Sequence, residues 1–193
     1  MINLSNRRAA IRRERHEREK IQKTKGKNGD LLRAQSRGWE NGKVIAACIG
    51  VNALFLELGW TKDKIEAFTK SLADQSANGN AQVIDFAVQP WKNKLEERIE
   101  SHSSVLPKMS FGSVIQGIEY QHRNMAYVGC CSYMFLNLFS NFDLSSNNKG
   151  SGTLDKIINQ CVIHFYDMQH NPMDYTSEKM LQKTKKITGL DLV

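Results

Sequence analysis

In "KDKIEAFTKSLADQ" (62–75), Ile65, Phe68 and Leu72 fall three and four residues apart, the spacing of one buried helical face. The same stripe recurs in "LDKIINQCVIHFYDMQH" (154–170), through Ile157, Ile158, Cys161, Phe165 and Met168. Leu95 and Ile99 carry it in a third stretch, and Val114, Ile118, Met125, Met134 and Leu138 carry it between Ser110 and Phe139. No stretch alternates with the period of two that a half-buried strand requires. The expected class is all-α, a bundle of about five to seven helices.

Helix boundaries follow from the residues between these stripes. Ser5 or Asn6 is placed to cap a first helix reaching Lys23, and "KTKGKNGD" is expected to break it at Gly26 and Gly29. Asp30 is then expected to cap a second helix that stops at Gly59, and its half from Val44 to Leu58 is apolar all round, as in an enclosed central helix. Thr61 caps the next, which stops at Asn78-Gly79. The stretch 81–102 is expected to break or bend at Pro90, because proline lacks the amide donor. "SSNNKGSG" (145–152) has the composition of a flexible loop. Thr153 starts a helix that Asn171-Pro172 ends, and a last basic helix from Ser177 to Ile187 is closed by Gly189. The chain contains no internal repeat.

Charge divides the chain in two. Of 193 residues, the first 27 contain ten cations, Arg7, Arg8, Arg12, Arg13, Arg15, Arg18, Lys20, Lys23, Lys25 and Lys27, against Glu14, Glu17 and Glu19. The arm thus carries the whole net charge of +7, and residues 28–193 balance 17 basic with 17 acidic side chains. The domain expectation is a basic N-terminal arm, helical or disordered, at 1–27 and a neutral all-α body at 28–193. The ten cations are the candidate nucleic-acid-binding residues, since each neutralised phosphate releases condensed counterion and arginine's planar fork suits phosphate. They spread around a helical wheel, and Glu14/Arg18 and Glu19/Lys23 have the spacing of ordinary surface ion pairs, so a merely solvated helix is the alternative.

Two resemblances attach to this arm. "NRRAAIRRER" resembles the basic region of leucine-zipper DNA-binding proteins, with Asn6 followed by Ala9 and Ala10 at that family's spacing. It departs at Arg13 and Glu14, and no leucine heptads follow. An Arg-rich opening, "SNRRAAIRRERHEREK", on a compact helical body is also similar to small accessory proteins of Gram-positive phages and mobile elements. That resemblance implies nucleic-acid handling or inhibition of a host defence complex, in the manner of anti-CRISPR proteins.

Targeting and membrane signals are weak. The N-terminus lacks a secretory apolar region, and its glutamates do not suit a mitochondrial presequence. The run Val44–Leu58 is 15 residues and contains Asn52 and Glu57, whereas a span takes about 20. Cys48, Cys130, Cys131 and Cys161 have apolar neighbours and read as buried thiols of a reducing compartment. A cytoplasmic protein without a membrane span is expected.

Catalytic signatures are sparse. Glu119/His122 and Asp167/His170 each have acid-x-x-His spacing, which in pairs can hold a di-metal centre in a helical bundle. Cys161/His164 has a similar spacing for zinc, but Cys161 falls on the apolar stripe and core packing is preferred. No P-loop, dinucleotide fingerprint or nucleophile elbow is present. Asn52 reads as a satisfied core amide, Glu57 as a carboxylate near a helix end, and Trp39, Trp60 and Trp91 as packing residues. "ELGWTKDKIEAF" (57–68) reads as a helical hairpin in preference to a DNA-binding helix-turn-helix. The leading expectation is a non-enzymatic protein, without cofactor or metal, whose basic arm binds DNA, RNA or a nucleoprotein complex. The alternative is a protein-interaction module with a host protein partner, such as a phage-encoded inhibitor of a host nuclease; a helical di-metal enzyme comes third.

Overall fold

The computed structural model describes residues 4–78, 81–102, 110–145 and 152–192, with the side chains of 4–25, 27, 76–78 and 81–84 outside that description. The described residues form α1 (Leu4–Leu58), α2 (Lys62–Asn78), α3 (Ala81–Glu100), α4 (Val114–Phe142), α5 (Thr153–His170) and α6 (Ser177–Thr188), with a 3-10 turn at Pro172–Asp174. No strand occurs among them, and the fold is an all-α bundle.

The apolar half of α1 is the axis of this bundle. Ile45, Cys48, Ile49, Val51 and Leu54 are buried there, and the most extensive helix pairing is that of α1 with α4. What permits it is a row of small residues at every fourth position: Ala34, Gly38, Gly42, Ala46 and Gly50. Such a row forms a shallow groove along a helix surface. A Cβ added at Gly38 would overlap the Glu119 carbonyl oxygen, one at Gly42 the Arg123 carbonyl oxygen, and one at Gly50 the Met134 sulfur. Successive positions on α1 meet successive positions on α4, so the two helices run parallel. α6 also runs parallel to α1, since the Ser177 hydroxyl donates to Asn41 Oδ1 at 2.6 Å near one end and Thr184 meets Cys48 further along. α5 is antiparallel to α4, with Tyr127 donating to the Cys161 carbonyl at 2.8 Å and Asn124 exchanging amide hydrogen bonds with Gln169 at 3.3 Å.

Thr61 caps α2 and Gly189 closes α6 as expected, while Ser113 and Thr176 are caps that the sequence reading did not name. Thr61 accepts from the Lys64 amide at 3.4 Å, Ser113 from Gln116 at 3.2 Å and Thr176 from Lys179 at 3.3 Å. Gly189 ends α6 at φ 70°, a conformation that favours glycine. The turn between α1 and α2 is closed by rings: Trp60 and Phe68 lie 6.2 Å apart edge to face, and Phe142 packs on both, at 5.3 and 5.7 Å.

Several expectations are corrected. The break at Gly26 and Gly29 is absent and Asp30 caps nothing, because α1 continues through all three. A single helical glycine costs about 1 kcal/mol relative to alanine, which does not by itself end a helix. Of the break or bend expected at Pro90, the break is absent, because α3 continues through this exposed position. Val114 and Met125, expected inside, are 75% and 53% exposed. On the first half of α4 the inward positions belong to Glu119 and Arg123, whose backbone lies against glycines, while Met134 and Leu138 are buried as expected. Asn52 is buried, but its Oδ1 has no hydrogen-bond partner. The loop expected at 145–152 falls mostly outside the described residues.

The close approach of α1 and α4 gives a direct test. Gly38→Val should destabilise the protein by about 3 kcal/mol, since the backbone it meets cannot move aside as a side chain can. Gly29→Ala, with nothing within 4 Å of the new Cβ, should be neutral or stabilising by up to about 1 kcal/mol. Urea unfolding midpoints of both variants check this.

Candidate nucleic-acid interface and side-chain clusters of the body

The ten arm cations, Arg7 to Lys27, have side chains outside the described residues; their backbone from residue 4 on belongs to α1. At about 1.5 Å per residue, the helical path from Leu4 to Lys27 is about 35 Å long. Beyond it, the described cations of α1 each lie within ion-pair range of an acid: Arg33 of Asp30 at 3.9 Å, Arg37 of Glu119 at 3.0 Å, and Lys43 of Glu40 at 2.7 Å. Pairs this exposed contribute little to stability. They do cancel the local charge, so α1 changes from strongly basic to locally balanced along its length.

The segment Asn28–Leu58 is long and apolar enough to cross a membrane by length and composition alone, which the run Val44–Leu58 by itself did not suggest. Of its apolar window 56% is buried inside the bundle, as expected of a core helix in a globular body.

Acid-x-x-His pairing does not assemble a metal centre. Glu119 Oε2 accepts from both Nε and Nη2 of Arg37, at 3.2 and 3.0 Å. His170 Nδ1 lies 2.8 Å from the Tyr166 carbonyl oxygen of its own helix. Among the described residues, no three His, Cys, Asp or Glu side chains group so that they could hold a metal ion. All four cysteines are free thiols; three are buried, and burial pushes half-buried Cys130 up to about 11. Cys161 belongs to the core, and His164 does not join it but meets Tyr175.

Two polar clusters escaped sequence reasoning. Asp155, fully buried at the start of α5, accepts from the Gly152 amide at 3.1 Å and lies 2.6 Å from Arg98 and 3.0 Å from Lys94. Arg98 also donates to Asn159 Oδ1 at 2.6 Å, so α3 and α5 are fastened through one carboxylate. The i,i+4 spacing of Lys94 and Arg98 was the available signal, but nothing in the chain marked Asp155 as their partner. In the second cluster the Tyr175 hydroxyl lies 2.7 Å from His164 Nδ1 and donates to Asp167 Oδ2 at 3.5 Å. Burial, then the Asp167 charge, raises the Tyr175 pKa, which keeps the phenol protonated.

Trp60 is buried, Trp91 packs against Phe139 at 5.3 Å, and Trp39 is 43% exposed. Glu57 accepts from Gln160 Nε2 at 2.8 Å near the end of α1. The chain matches no protein-family model, no curated protein and no solved structure.

Burial, reinforced by the Lys183 charge and opposed by Asp167, holds the His164 pKa below its usual value. The unfolded chain therefore binds this proton more readily than the folded one, so stability is greatest above the unfolded pKa and falls as pH drops through it. His164→Gln should flatten the loss of stability between about pH 7 and pH 5. Urea midpoints of the two proteins across that range provide the check, and parallel slopes would contradict it.

Proposed function

We propose that this protein is a non-enzymatic accessory protein that binds nucleic acid, alone or in a nucleoprotein complex, through its basic N-terminal helix. The observation that carries the reading is the confinement of the +7 net charge to residues 1–27. Pairing of Arg33, Arg37 and Lys43 with acids supports it, because that leaves the arm as the concentrated source of positive potential. Cations disposed all around a helix fit a ligand that presents phosphates on more than one side, as the two walls of a major groove or an enclosing channel do. The continuity of α1 makes the arm an extension of the bundle's central helix, so its direction is set by the body.

The test is salt-dependent binding of the full chain to duplex DNA, duplex RNA and single strands. If about six phosphates are engaged, the log–log salt slope should be about −5 on a duplex. A full-length variant with Arg7, Arg8, Arg12 and Arg13 replaced by glutamine should lose up to about 3.5 of that slope and bind at least tenfold more weakly at low salt. Equal affinities and slopes for the two proteins would reject the arm as the interface.

A further inference from the structure

Arg123 breaks the pattern of the other cations on the α1–α4 seam. It is half-buried on α4, its Nε and Nη2 are shielded from solvent, and neither has a hydrogen-bond partner. Glu119, one turn earlier, acts on it electrostatically, but the Glu119 Oε2 oxygen is taken by Arg37. No salt bridge joins Arg123 to an acid among the described residues. Its guanidinium instead stacks over the Tyr120 ring at 4.9 Å, which compensates only part of the cost of withdrawing a charge from water. Desolvation accordingly lowers the Arg123 pKa, though an arginine remains charged. Counting Arg37, Glu119 and Arg123 together, one positive charge is left over.

That charge, together with the Glu119 carboxylate that Arg37 already pairs, lines a cleft of about 390 Å³ where α1, the start of α4 and the 3-10 turn before α6 meet. The volume lies in the range of small-molecule sites, about 300–1,000 Å³. Phe111 and Tyr120 stand 5.0 Å apart at one side, Met173 and Tyr175 contribute further apolar surface, and Asn41 and Gln116 supply amides. Asn41 Oδ1 accepts from Ser177, which leaves its amide nitrogen as a donor. Phe111 is 39% exposed and Met173 75% exposed, so two large apolar side chains remain wet around an unpaired cation.

We propose that this cleft binds a small planar anion, a phosphate or carboxylate carried on a flat ring, with Arg123 holding the anionic group and Phe111 and Tyr120 the ring. A nucleoside monophosphate has this chemistry, and so does an aromatic carboxylate. A bound anion would supply the countercharge that Arg123 lacks, and a ring against Phe111 would cover surface now in water. The inference does not depend on the basic arm.

Calorimetric titration of the full-length protein with adenosine monophosphate, uridine monophosphate and indole-3-acetate tests it, with inorganic phosphate and adenosine as half-ligands. At least one planar anion should bind one-to-one and about tenfold or more tighter than either half-ligand, and the preferred anion identifies phosphate or carboxylate as the group recognised. Arg123→Met keeps the aliphatic stem, and it should weaken that binding about tenfold or more while leaving the thermal midpoint equal or higher. Phe111→Ser, on the rim, should weaken it without unfolding the protein, and serves if the first variant does not fold. The variant with Arg7, Arg8, Arg12 and Arg13 replaced by glutamine should bind the same ligand normally, whatever the outcome with long nucleic acids. The proposal is overturned by no saturable binding of any planar anion, by ring-free phosphate binding equally well, or by loss in the arm variant with retention in Arg123→Met.

Discussion

Direct backbone contact between two parallel helices is the constraint from which the rest of this bundle follows. At Gly38 and Gly42 there is no room for a Cβ between α1 and α4. Parallel neighbours cannot be joined by a short turn, and here α2 and α3 supply the return path. The helices approach so closely that their facing side chains cannot all be bulky. Where α1 offers Gly38 and Gly42, α4 presents Glu119 and Arg123 beside the seam; further along, Met134 fills the space that Gly50 leaves, and Tyr127 and Leu138 are buried in the core. One end of the contact is thus polar and narrow, and the other is a conventional apolar core.

Polar fasteners determine how the remaining helices lie on that pair. Tyr127 and Tyr166 each bury a ring and spend the hydroxyl on a carbonyl of another helix, Cys161 at 2.8 Å and Ile99 at 2.6 Å. Asp155 joins α3 to α5 through two cations that are themselves mostly buried. Such contacts contribute modestly in net terms, but a misplaced helix would leave a buried donor or carboxylate unpaired, which costs far more. They select one packing among those that a greasy stripe alone would accept. Asn137 does the same for α2, donating to Ser71 at 3.0 Å and Gln75 at 2.8 Å.

Helical periodicity, caps and terminators were enough to read the all-α class and the positions of α2, α5 and α6, because those signals are local. The errors arose where a local rule met a tertiary one. Gly26 and Gly29 looked like breakers, yet a long helix tolerates each at modest cost. Gly38 and Gly42 look identical to them in sequence, and only their neighbours on α4 make them indispensable. Val114 and Met125 followed the apolar stripe, but the face of α4 that counts is set by α1's glycines. Asp155 and Arg123 could not be singled out for the same reason: their importance lies in a partner gained or missing across the bundle.

Along α1 itself, the chemistry changes from ten cations in the first 27 residues, through paired cations at 33, 37 and 43, to an apolar segment whose residues from Ile45 to Leu54 are nearly all buried. On the proposed reading this order has a physical logic. The apolar end anchors the helix in a rigid core, and the paired middle keeps the body's surface electrically quiet. Phosphates would then be drawn to the far end, where cations outnumber acids by seven. A neutral body would not hold nucleic acid against its own surface, so on that reading engagement would be confined to the basic arm. The cleft beside Arg123 sits where the charge has already been balanced except for that single guanidinium, and it is therefore suited to a ligand far smaller than a strand.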